Sequence, residues 1–249
     1  MIIHSYDTQT DPIMTVADFY GAQGQFADTC LVTFSHEIHS HLLRTYPCEQ
    51  IARIRACNGF TPVYAMELAG KTLAFYLSGV GATAAATNVI EANWLTGAEK
   101  FIMFGSAGSL DRAATGGRYV IPTEAYRDEG ISYHYAPAAD FIRIPGADRL
   151  AALFHELSVP YVQGRVWTTD AFYRETRGQV ARRQAEGCIA VEMELAGVQA
   201  VCDYHGFTLY DFLVTGDVLD SPAYDRTGLH GANHDLDKLH LALEIARRL

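Results

Sequence analysis

The segment Val191-Glu192-Met193-Glu194-Leu195 places two carboxylates on either side of a thioether in an otherwise apolar stretch. Carboxylates are costly to bury without partners, so the pair asks for a purpose. With Glu192 in a strand and Glu194 in the first turn of a helix, both point into one cleft. A carboxylate there accepts both hydrogen bonds of a vicinal diol, and a methionine can lie against a sugar ring. An N-terminal Glu that complements a helix dipole would explain Glu194 but not Glu192.

A third carboxylate, Asp217 in Val214-Thr215-Gly216-Asp217-Val218, follows a long apolar run. A semi-buried carboxyl there can protonate a leaving group, or it can be an ordinary helix N-cap. Two segments rich in small residues complete the set: Ser78-Gly79-Val80-Gly81-Ala82 and Gly105-Ser106-Ala107-Gly108-Ser109. Both offer free backbone N–H groups, a surface suited to an anion or to sugar hydroxyls. Tight turns needing positive φ are the competing explanation for their glycines.

These residues need elements to hold them. Runs rich in Val, Ile, Phe, Tyr and Thr predict strands at 29–34, 62–68, 72–78, 100–104, 118–122, 162–168, 188–192 and 208–215. Apolar spacing of three and four predicts helices at 82–96, 148–157, 174–185, 194–205 and 233–248. Such alternation means an α/β protein, a three-layer α/β/α sandwich around a central mixed, largely parallel sheet. Ala69-Gly70-Lys71 joins 62–68 to 72–78 as an antiparallel hairpin. No linker, repeat or low-complexity stretch divides the chain, so residues 1–249 read as one domain. In such sheets the loops at the strand carboxyl ends bind ligands, and all four segments above fall there.

Composition narrows the class. The 249 residues carry 29 acidic and 19 basic side chains, a net charge of −10, with no basic run. That argues against a nucleic-acid surface, which needs clustered Lys and Arg. No run approaches the ~20 apolar residues of a membrane span, and the N-terminus lacks a secretory pattern, so a cytoplasmic protein is expected. The five cysteines are scattered without a C-x-x-C pair; Cys30, Cys188 and Cys202 lie in apolar surroundings and read as core residues. His36-Glu37-Ile38-His39-Ser40-His41 has Ser40 where a H-E-x-x-H zinc site needs its second His. It reads as a solvated helix face, as do His230, His234 and His240, and no metal site is expected.

The strings GSAGSLDRAATGGRYVIP from Gly105, YRDEGISYHYAP (126–137), TTDAFYRET (168–176), AVEMELAGVQAV (190–201) and TGDV (215–218) together resemble the nucleoside phosphorylase superfamily. The likeness runs in order over about residues 60–249. It implies that fold and cleavage of a nucleoside N-glycosidic bond, without a cofactor and with phosphate as co-substrate. By the resemblance, Glu194 binds the ribose 2′- and 3′-hydroxyls, Met193 packs on the sugar and Glu192 flanks it. Phe172 stacks on the base, Ser106 lies by ribose or phosphate, and Asp217 protonates the leaving base as in the purine branch; Gly81 and Gly105, in the two small-residue segments, are further substrate-binding candidates. The 126–137 stretch is closest to the uridine phosphorylase branch. The resemblance also implies a homo-oligomer, a dimer or a trimer of dimers.

The departures from the family pattern concern the acceptor. Family phosphorylases hold phosphate with three arginines; the corresponding positions here fall at His39, near Asn58 or Gly59, and at Met103. A phosphate dianion binds poorly without charge-assisted partners. Either other groups hold it, or water is the acceptor and Glu37 positions that water, as a Glu of the first loop does in the nucleosidase branch. Of the base-reading pair after Phe172-Tyr173, only Arg177 is a candidate substitute. With Asp217, this favours a purine or a modified base. Phosphorolysis, hydrolysis and catalytically silent nucleoside binding are the three expectations.

Overall fold

The β-branched and aromatic runs form strands, and the computed structural model, which describes residues 1–221 and 223–249, joins ten of them in one sheet. They are β1 (Thr29–Thr33), β2 (Cys48–Ala56), β3 (Gly59–Leu68), β4 (Lys71–Leu77), β5 (Lys100–Ser109), β6 (Tyr119–Asp128), β7 (Phe141–Arg143), β8 (Tyr161–Thr169), β9 (Cys188–Glu192) and β10 (Thr208–Val218). The helices are α1 (Val16–Tyr20), α2 (His36–Thr45), α3 (Ala82–Thr96), α4 (Arg112–Thr115), α5 (Ser132–Tyr135), α6 (Ala147–Glu156), α7 (Arg177–Ala185), α8 (Leu195–His205), α9 (Leu229–His234) and α10 (Leu236–Arg248).

The sheet is mixed. Parallel pairs join β4, β1, β5 and β10, and separately β6, β8 and β9. Antiparallel pairs add β3 and β2 at one edge and fix two junctions, β5 to β9 and β10 to β6. Because β10 pairs with both β5 and β6, and β9 with both β5 and β8, five strands close into a ring. The carboxyl ends of β5, β9 and β10 are thereby brought together at its rim.

Helices cover both faces, giving the three-layer α/β/α arrangement. On one face α3 and α8 bury Ala85, Ala86, Val89, Leu195, Val198 and Val201 against Val32, Phe101 and Leu213. On the other, Ile38 and Leu42 of α2, Leu150 and Phe154 of α6, and Leu239 and Leu243 of α10 pack on Leu31, Phe104 and Phe212. Cys30, Cys188 and Cys202 are buried, in keeping with their apolar neighbours.

Four local differences from the sequence expectation have physical causes. β2 was not expected because it is a half-exposed edge strand whose Glu49, Arg53 and Arg55 hide the strand pattern. Gly105–Ser109 is not a turn but the extended end of β5; neither Gly105 nor Gly108 has positive φ, and a Cβ at Gly108 would meet Leu219 Cδ1 at 2.5 Å. The C-terminal helix is two helices, because the Asp235 carboxylate accepts the Asp237 N–H at 2.9 Å and starts α10 afresh. His39 is not solvated: it is buried against Tyr64 and Phe75, and desolvation holds its imidazole below the usual range.

Candidate active site

The rim of the strand ring opens into a cavity of about 930 Å³. Glu192, Met193, Glu194, Phe172, Ser106, Gly105, Arg177 and Asp217 all line it, although they come from four separate stretches of chain.

The two glutamates divide the work. Strand β9 ends at Glu192, and its carboxylate accepts the backbone N–H groups of Glu194 and Leu195, both at 2.7 Å, and the Thr168 hydroxyl. Glu192 therefore satisfies the free N–H groups at the start of α8, as an N-cap does. Complementing the helix terminus is the role the sequence reading offered for Glu194; it belongs to Glu192. The Glu194 carboxylate instead crosses to α3, where its Oε1 accepts the Gly81 N–H at 2.6 Å. Gly81 adopts φ +101°, which a side chain would disfavour, and this aims its N–H at Glu194. Gly81 thus serves the site through its backbone, while Val80 beside it lines the cavity.

Close packing of α3 on α8 makes this bridge possible. A Cβ at Gly197 would lie 2.6 Å from Ile131 Cγ2 and 3.0 Å from Ala82 Cβ. Burial pushes both carboxyls upward, Glu192 further by the charge of Glu194.

Asp217 sits near the end of β10, where its Oδ2 accepts the Tyr224 hydroxyl at 2.9 Å. Glu175, also on the cavity wall, is pushed to about 7 by burial and by the negative charge of Asp217. Phe172 is half-exposed and its ring lies 4.0 Å from that of Tyr173, so the two form an aromatic flap beside the acids. Arg177 opens α7 behind them.

The other end of the cavity is built by the β1–α2 junction and the C-terminal helices. Ser106 Oγ donates to Asn233 Oδ1, and Ser35, the N-cap of α2, is hydrogen-bonded to His234 Nδ1 at 2.8 Å. Glu37 is not on the wall; half-exposed, it lies 3.7 Å from His234 Nε2, and His234 is on the wall. Lys238 lines the same end. Asp211, beside Met103 in the β10–β5 register, is fully buried on the wall with neither carboxyl oxygen partnered. Desolvation, reinforced by the charges of Glu192 and Glu194, pushes that carboxyl well up from its ordinary value.

Sequence reasoning missed Glu175, Tyr224, Asn233, His234, Lys238 and Asp211 as cavity residues. Glu175 had a signal, since it sits three residues after Phe172. The others had none, because distant segments deliver them. Among the described residues, no cluster of three or more His, Cys, Asp or Glu side chains is arranged to hold a metal ion, and no helix is long and apolar enough to cross a membrane.

A family model for the phosphorylase superfamily matches residues 30–247, a span that contains every strand but the first residue of β1. The chain belongs to the phosphorylase superfamily. It is accordingly a nucleoside phosphorylase-type enzyme, and its ringed sheet with helices on both faces is consistent with that fold. It is similar to several proteins named purine nucleoside phosphorylase DeoD-type. One from Exiguobacterium sp. is 27% identical over 222 residues, 83% of this chain and 91% of that protein. One from Hahella chejuensis is 29% identical over 241 residues, covering 90% and 94%. One from Caldanaerobacter subterraneus subsp. tengcongensis is 28% identical over 240 residues, covering 90% and 97%.

Proposed function

We propose that this phosphorylase-superfamily enzyme cleaves the N-glycosidic bond of a purine ribo- or deoxyribonucleoside and transfers the pentose to phosphate. The observation that carries the reading is the convergence of Glu194, Met193, Phe172 and Asp217 on one cavity. The names of the relatives support a purine, as does an acid at Asp217 beside the aromatic flap.

The chemistry follows from these positions. Glu194, anchored through one oxygen to Gly81, offers its remaining acceptor capacity to the ribose hydroxyls, with Met193 against the sugar. Phe172 covers the base. As the C1′–N bond breaks, its electron pair moves onto the base, and Asp217 delivers a proton there while Tyr224 holds its carboxyl in place. A phosphate oxygen bonds to C1′, which carries positive charge in an oxocarbenium-like state. The products are the free base and a pentose 1-phosphate. No resident cofactor takes part.

Hydrolysis is the second reading, favoured by a specific feature. None of the three expected arginine positions presents a cation to the cavity: His39 is buried against Tyr64 and Phe75, Asn58–Gly59 lies at the β2–β3 turn, and Met103 neighbours the unpartnered Asp211. In that case Glu37 would act on water through its contact with His234. Release of base from a nucleoside panel, with and without phosphate, separates the readings. Phosphorolysis requires phosphate and yields a sugar phosphate; equal rates without phosphate overturn it.

The family resemblance carries a cytoplasmic homo-oligomer with it. Ile13, Met14, Phe19 and Phe26, all exposed on the N-terminal segment, support an apolar subunit contact.

A further inference from the structure

Lys238 is an unusual residue to find in this cavity wall. It is only 1% exposed, yet among the described residues no carboxylate lies within ion-pair distance of its ammonium. Its Nζ donates to the carbonyls of Ala232 and Asn233, the latter at 3.5 Å, both in the last turn of α9. Two neutral acceptors do not neutralise a buried cation, and desolvation lowers its pKa to about 8 even with the charge of Asp235 nearby. The cavity acids do not relieve it. Glu192 accepts three donors, Glu194 is tied to Gly81 and Asp217 to Tyr224, and Asp211, buried with neither oxygen partnered, makes no ion pair with it.

Hydrogen-bonding side chains from three places line the same cavity as Lys238. Ser106, at the end of β5, bonds to Asn233, whose own carbonyl accepts from Lys238. Ser35 accepts the Ile38 N–H at 3.2 Å and is hydrogen-bonded to His234 Nδ1 at 2.8 Å. α9 is held tightly over this end. A Cβ at Gly216 of β10 would lie 2.7 Å from Ala232 Cβ, and one at Gly228 would lie 2.4 Å from the Gly216 carbonyl. The C-terminal helices are thus fixed to the strand that carries Asp217.

We propose that the C-terminal helix pair supplies the oxyanion site of this enzyme, with Lys238 as its cation and His234, Ser106 and Ser35 as its hydrogen-bonding groups, and that the anion it takes is inorganic phosphate. The inference rests on phosphorolysis as the reaction. It assigns to residues near the end of the chain the charge that the three arginine positions lack. The ammonium gains the counter-ion that the fold leaves out, and Ser106 exchanges Asn233 for a phosphate oxygen.

The test titrates phosphate at saturating purine nucleoside in wild type, Lys238→Met, Lys238→Arg and His234→Gln, with melting temperatures measured in parallel. Loss of a charge-assisted contact is expected to raise the phosphate KM of Lys238→Met about 10- to 100-fold, with nucleoside KM within a few-fold of wild type. Lys238→Arg restores much of that loss, and His234→Gln raises the phosphate KM several-fold. A role limited to capping α9 predicts lower stability with an unchanged phosphate KM, and that result overturns the proposal while phosphorolysis stands. Should Lys238→Met fail to fold, an unchanged phosphate KM in His234→Gln overturns it equally. Wild-type base release that ignores phosphate instead removes the phosphorolysis reading itself.

Discussion

The carboxylate of Glu192 accepts the backbone N–H of Glu194 at 2.7 Å, so one acid of the pair fixes where the other begins. Glu192 also takes the Leu195 N–H and the Thr168 hydroxyl, which leaves it little capacity for a ligand. Glu194 spends one oxygen on Gly81 and keeps the rest for the cavity. Two residues that look equivalent in sequence therefore separate into a structural acid and a ligand-facing one.

Their substitutions are expected to fail differently. Glu194→Gln removes a charged acceptor of two hydroxyls and lowers kcat/KM by about 10²- to 10³-fold at nearly unchanged melting temperature. Glu192→Ala orphans three donors, two of them at a helix start. It costs about 2–3 kcal/mol, a fall in Tm of roughly 4–12 °C. Steady-state kinetics and thermal melts on the two variants check the division; matching profiles would contradict it.

Asp217 and Tyr224 form a graded pair. Asp217→Asn is expected to slow base release by about 10²- to 10⁴-fold, the scale of a lost general acid. Tyr224→Phe removes one hydrogen bond to that acid and costs about tenfold. A nucleoside analogue whose base leaves without protonation should rescue both variants, which distinguishes a lost proton from a lost binding contact.

Glu175 gives the fold a pH signature. Its folded pKa, about 7, lies above the ordinary 4.5 because burial and Asp217 disfavour the charged form. The folded state therefore holds more protons than the unfolded one between these values, and this group's contribution to stability declines as pH rises through that window. Glu175→Gln should consequently raise Tm at pH 8 and leave it unchanged at pH 4. Discounted for its partial exposure to solvent, the gain is about 1 kcal/mol, or roughly 2–4 °C. Melts at the two pH values decide it.

Gly197 is expected to be intolerant of the smallest addition. A methyl group there meets Ile131 at 2.6 Å and Ala82 at 3.0 Å, one residue from Gly81. Gly197→Ala should cost about 1–3 kcal/mol through overpacking. Because it separates α3 from α8 where Glu194 bridges to Gly81, it should also lower kcat/KM about tenfold. An active, fully stable variant would show that the helices have room to give.

Local chemistry made much of this protein readable from its residues. Strand-forming runs and helical spacing specify their elements without distant partners, so α3 and the β3–β4 hairpin fall where periodicity and Gly70 place them. The V-E-M-E segment, Ser106 and Asp217 stood out by residue type and spacing and Phe172 through the family resemblance, and all of them line one cavity. Tertiary structure alone decided how Glu192 and Glu194 divide their roles, since that depends on which N–H each oxygen meets across space. It also decided that Gly105–Ser109 is extended, that His39 is buried, and that the cavity wall carries Lys238. Closure of β5, β10, β6, β8 and β9 into a ring brings residues more than a hundred positions apart to one rim. A cation delivered there by the last helix leaves no pattern in its own neighbourhood, because its charge acquires meaning only from what surrounds it once folded.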